Sequence, residues 1–499
     1  MANVTVNGIT YTVEAGTKLG DLLAREQHMS MPCGGHGRCG KCRVAAAGEL
    51  SDYSDRERDF LSEKEFREGV RLACCAVVEG DCTVQLAGTN AGQIRIAGDM
   101  PAITLKPVFS AYGFVLDIGT TTLAARLYDV RGTLLAQSSR LTPQAGWGAD
   151  VISRIEAAMK GEDRAIAAAI REAVDTLLTE LAQKAGISSR EIDGVTITGN
   201  TVMLHLLTGT SVEPLSHAPF AAERLFGENV SAESLHLASL LPDTEIYLAP
   251  CAAAFVGADL MTALLAGGIC EKSDTQLLAD IGTNGEIALW HDAQLYCCST
   301  AAGPAFEGAG ISMGMGGSSG AVDRVTVQNG KITSHVIGDT APRGICGSGV
   351  VDAVACLLET GLMDETGYIE EESAVIANPV VFTQNDVRMV QLAKSAIHAG
   401  IRTLLHTAGL SCEDVAALLI AGGFGSYLDV ANGAKIGLFP EEMLSYIHVV
   451  GNAALSGASM MLLNNDYRAV CEKYAKSAKI VELSTDPFFA DEYMTRMLF

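Results

Sequence analysis

Positive charge is scarce in this 499-residue chain: 35 Lys and Arg stand against 59 Asp and Glu, a formal net charge of −24. Such a field repels phosphate backbones and anionic lipid surfaces, so neither nucleic acid nor a membrane is expected as a partner. The opening run MANVTVNGITYTVEAG has neither a basic start nor an apolar core, and no secretory leader is expected from it. No P-loop signature of Gly-x-x-x-x-Gly-Lys-Ser/Thr occurs. The ten histidines show no metal-ligand spacing. Long apolar runs are also nearly missing. The one candidate, Ile246 to Cys270, is broken by Pro250, Asp259 and several glycines. A strand ending near Ala249 and a buried helix are expected there, not a membrane span. Without a leader, the fourteen cysteines read as a reduced, cytoplasmic inventory and not as a disulfide framework.

Three of those cysteines crowd into MPCGGHGRCGKCRV, as Cys33, Cys39 and Cys42, and a fourth, Cys74, follows in RLACCAVV. The gaps are five, two and 31 residues. Glycines 34, 35, 37 and 40 let the backbone wrap closely and turn its N–H groups inward. This arrangement suits an iron–sulfur cluster, which needs thiolates and nearby donors. Four thiolates can also close a zinc site, although only Cys39 and Cys42 form a Cys-x-x-Cys pair. The preceding VTVNGITYTVEAGTKLGDLLAREQ reads as a hairpin and a helix. Over residues 2 to 88 the chain resembles a [2Fe–2S] ferredoxin, with the five-residue first gap of the adrenodoxin-like type. The resemblance favours Cys74 over Cys75 as the fourth ligand; Cys75 is then expected to be a small buried hydrophobe.

Residues 89–111 lack a clear period and read as a linker. Beyond them the chain repeats in outline. GFVLDIGTTTLAARLYD and LLADIGTNGEIALWHD each run an apolar strand into Asp-Ile-Gly-Thr and out again. GVTITGNTVMLHLL in the first half answers ALLIAGGFGSYLD in the second, and APCAAAFVGADLM answers VVGNAALSGASMM. A tight Gly/Thr hairpin presents backbone N–H groups and hydroxyls that can grip terminal phosphates. The candidate contacts are Thr120, Thr121 and Thr122 in the first turn, and Gly282, Thr283, Asn284 and Gly285 in the second. Asp117 and Asp280, at the two strand ends, can hold hydrated magnesium or orient water. Gly422, Gly423 and Gly425 leave bare backbone against which a nucleobase and ribose can lie.

The set resembles the actin, hexokinase and Hsp70 superfamily of two-lobed ATPases. Ferredoxin first and actin-like ATPase second resembles, across the whole chain, the reductive activators of corrinoid-dependent enzymes. LTPQAGWGADVISRI, CSTAAGPAFEGAGI, GICGSGVVDAVA and AGGFGSYLD add to the likeness. The fold implied is multidomain α/β: a β-grasp [2Fe–2S] domain (1–88), the linker (89–111), and two RNase H-like lobes (112–272 and 273–499). The activity implied is ATP-dependent return of a corrinoid protein from cobalt(II) to cobalt(I) in a methyltransferase system. Its cofactors are a [2Fe–2S] cluster, ATP and Mg2+, its electrons come from an external low-potential donor, and the superfamily admits a homodimer. A small-molecule kinase and an ATP-controlled redox sensor stand as alternatives. Glu286, Glu307, Asn200, Cys297, Cys298, Cys346 and His205 are all expected in structural roles: hydrogen-bonded carboxylates, helix cap, or buried packing.

Overall fold

In the computed structural model the described residues are 1–27, 29, 31, 35, 37, 40, 42–86, 100–423 and 428–499. Cys33, Cys39, Gly425 and much of the expected linker lie outside them. The chain divides into two compact units, Met1–Ala91 with Leu141–Ile170, and Gly92–Arg140 with Arg171–Phe499. Leu141–Ile170, read from sequence as part of the first lobe, therefore packs with the N-terminal residues.

The first unit is a β-grasp. Its sheet runs Ile9–Val13, Ala2–Val6, Val78–Gln85, Arg43–Leu50, Val70–Leu72, and Ala2–Val6 and Val78–Gln85 pair in parallel. The first two strands form a hairpin because Asn7 and Gly8 both take positive φ, as a two-residue turn between twisted strands requires. Val4 and Val6 face the core at period two, and the helix Leu19–Gln27 covers them with Leu19, Leu22 and Leu23.

A buried ion pair pins this sheet's edge. Arg71 donates Nε to Glu57 Oε1 at 2.7 Å and Nη2 to Oε2 at 3.1 Å, with side chains 5% and 0% exposed. Glu57 also accepts the amide of Leu72, and it closes a capping box with Ser54 at the start of the helix Asp55–Phe60. Burial alone raises the Glu57 carboxyl, but the Arg71 hydrogen bond and those from Ser54 and Leu72 hold it below its ordinary value. The strand that Glu57 anchors ends two residues before Cys74.

The second unit contains the duplication. One six-stranded sheet runs Glu228–Ser231, Glu245–Leu248, Ile192–Gly199, Tyr112–Ile118, Thr122–Asp129, Leu134–Leu141. The other runs Ile447–Gly451, Ala417–Ala421, Gln276–Ile281, Gly285–His291, Gln294–Thr300, Lys479–Ile480. In each sheet an antiparallel three-strand meander carries the Asp-Ile-Gly-Thr turn, and two parallel strands flank its first member. This is the actin-like arrangement. The helices Ala258–Gly267 and Ala453–Leu463 are apolar on every side because they pack together and against strands of both sheets. The Ile246 to Cys270 run is a strand, a loop and the first of these helices, as expected. No helix of the described residues is long and apolar enough to cross a membrane.

Replacing Arg71 by Met strands the Glu57 carboxylate in an apolar core. The expected loss is about 3–5 kcal/mol for the first unit. Urea denaturation followed through the visible absorption of the cluster-loaded protein measures it; an unchanged midpoint contradicts an anchoring role for the pair.

Candidate functional site

The two strand-end turns face one cavity of about 140 Å³ in the second unit. Asp117, Thr120, Thr121 and Thr122 line it from the first turn, and Asp280, Gly282, Thr283 and Asn284 from the second. Gly422 and Gly423 close a third side. Each turn is held by its own backbone: Gly119 N–H bonds Thr122 O at 3.0 Å, and Gly282 N–H bonds Asn284 O at 3.1 Å. Gly422 has φ +103, and a Cβ there would meet Ile281 O at 2.4 Å, so only glycine lets this backbone lie beside Asp280. Gly285 behaves differently from the expectation. It sits in the ladder opposite Ile281 and packs on Thr300, not on the cavity.

Two hydroxyls meet across the cavity. Thr121 Oγ1 lies 3.0 Å from Thr283 Oγ1, and both donate to Glu307 Oε2, Thr121 at 2.7 Å. Glu307 therefore joins the two turns, a bridging role beyond the structural carboxylate expected of it. Glu286 is also part of the lining, because antiparallel register sets it directly opposite Asp280. Asp259, near the start of the helix Ala258–Gly267, adds the fifth carboxylate of the lining. No Lys, Arg or His lines the cavity among the described residues.

Two asparagines order this charge. Asn452 caps the helix Ala453–Leu463 through its Oδ1 and donates Nδ2 to Asp117 Oδ2 at 3.0 Å. Asn200 caps the helix Thr201–Thr208, as expected, and its Nδ2 reaches Glu286 Oε1 at 3.0 Å. Each follows a strand-end glycine, in TITGN and VVGN. That paired Gly-Asn was the available signal for a shared role; Asp259 had none beyond its place in the matched GADLM segment.

Burial pushes Asp117 up to about 7, against the Asn452 hydrogen bond and with the charge of Asp259. It pushes Asp280 to about 8, reinforced by Asp259, Asp117 and Glu307. Burial takes Asp259 to about 6, and it lifts Glu286 well above the carboxylate range, with Asp259 and Asp280 adding like charge. Asp117 Oδ1 is buried and has no hydrogen-bond partner. A buried carboxylate lining with an orphaned oxygen and no basic side chain fits a divalent metal. No three ligating side chains among the described residues form a metal cage. The donor set therefore suits Mg2+ held by one or two carboxylates together with phosphate oxygens and water.

In the first unit, Cys42 and Cys74 are buried, with sulfurs 3.2 Å apart. Sulfurs on one tetrahedral metal with bonds of about 2.3 Å stand roughly 3.8 Å apart, so a slight opening fits this pair to a shared metal. Cys75 is half-buried, its sulfur 3.8 Å from that of Cys74, so it is less enclosed than expected. Cys297 and Cys298 are fully buried, Cys346 precedes the helix Gly347–Glu359, and buried His205 bonds Thr201 O through Nδ1 at 2.8 Å. All four keep the structural roles expected of them.

Residues 4–79 match the 2Fe-2S iron-sulfur cluster binding domain, residues 112–272 the RACo middle region, and residues 274–499 the C-terminal, ASKHA domain of RACo. A corrinoid activation enzyme, RamQ, from Eubacterium limosum is 37% identical over 426 residues, covering 79% of this chain and 71% of that protein. A [Co(II) methylated amine-specific corrinoid protein] reductase from Methanosarcina barkeri is 26% identical over 383 residues, 70% of each chain. The solved structure of a reductive activator for a corrinoid, iron–sulfur protein superposes with TM-score 0.73 at 26% identity, covering 100% of this chain and 98% of that one.

The carboxylate lining sets a pH dependence. Unfolded aspartates release their protons near pH 4, whereas folded Asp117 and Asp280 keep theirs to about 7 and 8. Between those values the folded state binds more protons, so stability falls as pH rises from about 4 to about 8. In divalent-free buffer the expected loss is several kcal/mol, each carboxyl contributing about 1.4 kcal/mol per unit of its shift. Asp280→Asn removes about half of it, leaving the share of Asp117, and Mg2+ stabilises more at pH 8 than at pH 5.5; scanning calorimetry across that range reads both. A wild-type profile as flat as that of the variant contradicts the assignment. Separately, Cys74→Ser is expected to abolish the visible cluster absorption while Cys75→Ser keeps it, and the reverse outcome would move the fourth ligand to Cys75.

Proposed function

The chain belongs to the RACo family of reductive activators, and we propose that it uses ATP to return a partner corrinoid protein from cobalt(II) to cobalt(I). The observation behind this reading is the joining, in one chain, of the Cys42–Cys74 sulfur pair with the duplicated-turn cavity. The names of the two relatives, an activation enzyme and a cobalt(II) corrinoid-protein reductase, support it. A [2Fe–2S] cluster held by Cys33, Cys39, Cys42 and Cys74 supplies low-potential one-electron chemistry when bound, near about −400 mV for plant-type centres.

The substrate step is simple in its balance. Cobalt(II) gains one electron, no bond to carbon forms, and an external low-potential donor is oxidised by one electron. Each 59 mV of unfavourable gap is about a tenfold equilibrium penalty for one electron, which gives ATP a purpose. The chain's own residues bring the nucleotide to the task. A polyphosphate seated between the turns replaces the Thr121, Thr283 and Glu307 hydrogen bonds with its own, from backbone N–H groups and the two hydroxyls. Asp117 and Asp280 hold its Mg2+, which relieves the like-charge crowding of the lining. Asn452 and Asn200 keep the carboxylates oriented through both events. Burial, with the like charges of Asp259 and Asp280, raises Glu286 and so opposes a further charge beside Asp280.

Asp117→Asn is expected to lower the ATP-dependent rate by about 100-fold or more, by removing a metal-holding carboxylate. The assay mixes protein, reductant, ATP and corrinoid protein without oxygen and follows the cobalt(II) absorbance. If wild-type reduction proceeds equally well without ATP while the cluster stays reducible, the ATP-dependent reading is wrong.

A further inference from the structure

The two threonine hydroxyls that the turns offer to a phosphate are already engaged. Thr121 and Thr283 both donate to one carboxylate oxygen, Glu307 Oε2, and their own oxygens lie 3.0 Å apart. A hydroxyl carries a single hydrogen. With both hydrogens turned to Glu307, neither is left to donate to a phosphate oxygen. All three residues belong to the second unit and line its carboxylate cavity.

The backbone behind Glu307 is fixed. Glu307 ends a 3-10 turn, Pro304–Glu307, whose Ala305 and Phe306 are buried in the apolar core. Gly308 closes the turn at φ +79; its amide bonds Ala305 O, and that of Ala309 bonds Pro304 O, each at 3.1 Å. A Cβ on Gly308 would come within 2.7 Å of Met315 O, so the turn has no room to shift on that side. The Glu307 side chain is only half-buried. Its freedom lies in its own torsions, and displacing the carboxylate needs no opening of the fold.

We propose that Glu307 is an internal surrogate for a ligand phosphate, which lowers the affinity of the cavity by competing for the Thr121 and Thr283 hydroxyls. This rests on the reading that a polyphosphate occupies the cavity. A carboxylate oxygen and a phosphate oxygen are both anionic acceptors, so the same two hydroxyls serve either one. Entry of a metal-bound polyphosphate breaks two hydrogen bonds to Glu307 and remakes them to phosphate, while the Glu307 carboxylate turns away. The ligand therefore binds only the fraction of molecules in which Glu307 has left, and its apparent dissociation constant is raised by the inverse of that fraction.

Isothermal titration of the cluster-loaded full chain with Mg2+ and a non-hydrolysable ATP analogue tests the competition. Glu307→Ala is expected to bind the analogue about tenfold more tightly than wild type, the gain for a site that is about nine-tenths occupied by its own carboxylate. Glu307→Gln is expected to gain about threefold, because a neutral amide oxygen accepts hydroxyls with about half the strength. It also matches the native side chain in shape, so it carries the comparison if the alanine variant fails to fold. In a Thr121→Val background the carboxylate has lost one of its two donors, and the gain from Glu307→Ala falls to about threefold or less. Binding that is unchanged or weaker in both Glu307 variants overturns the proposal. So does a full gain in the Thr121→Val background, which marks simple charge repulsion acting at a distance. If neither wild type nor any variant takes up the analogue, the polyphosphate reading itself fails, and the surrogate with it.

Discussion

Five carboxylates around one small cavity form the constraint on which the second unit turns. No isolated protein charge is stable there, so the groups must hold protons, accept asparagine amides, or meet a cation. All three solutions coexist. Asp117 and Asp280 are pushed into the neutral range, Asn452 and Asn200 each stabilise one carboxylate, and Asp117 Oδ1 is left for a ligand. Register supplies the crowding, because a β-ladder that sets Glu286 opposite Asp280 cannot separate them. The site is built to be completed by positive charge arriving with phosphate, and it is least comfortable at the pH where that ligand is fully ionised.

What could be read from the sequence follows from the range of the interactions. The Asp-Ile-Gly-Thr turns are local, four-residue objects, so Asp117, Thr120 to Thr122, Asp280 and Gly282 to Asn284 were legible from chain pattern alone. Their duplication made the two sheets legible as well. Gly285 misled because a Gly after Thr-Asn reads as turn, whereas the ladder already reaches it. Asn452 was hidden for the opposite reason: it meets Asp117 across 335 residues, and only the packing of one sheet's terminal helix against the other sheet brings it there. Glu307 and Asp259 belong to the same long-range class.

In the first unit the readable part was the hairpin, the helix and the ligand pattern. The Glu57–Arg71 pair was not readable, since nothing in DRERDF or VRLACC separates a buried acid or arginine from a solvated one. Its place explains why it is worth burying. The guanidinium fork reinforces the ladder of Val70–Leu72 on the strand Arg43–Leu50, and with it the approach of Cys74 to Cys42.

Leu141–Ile170 shows how sequence order and physical grouping can part. By order it extends the first sheet; by contact it belongs with the cysteine-bearing unit. The contacts that place it there are short-range and leave no periodic trace in the sequence: Ala145 O takes the amide of Met31, and Gly146 meets Ala24 at backbone distance.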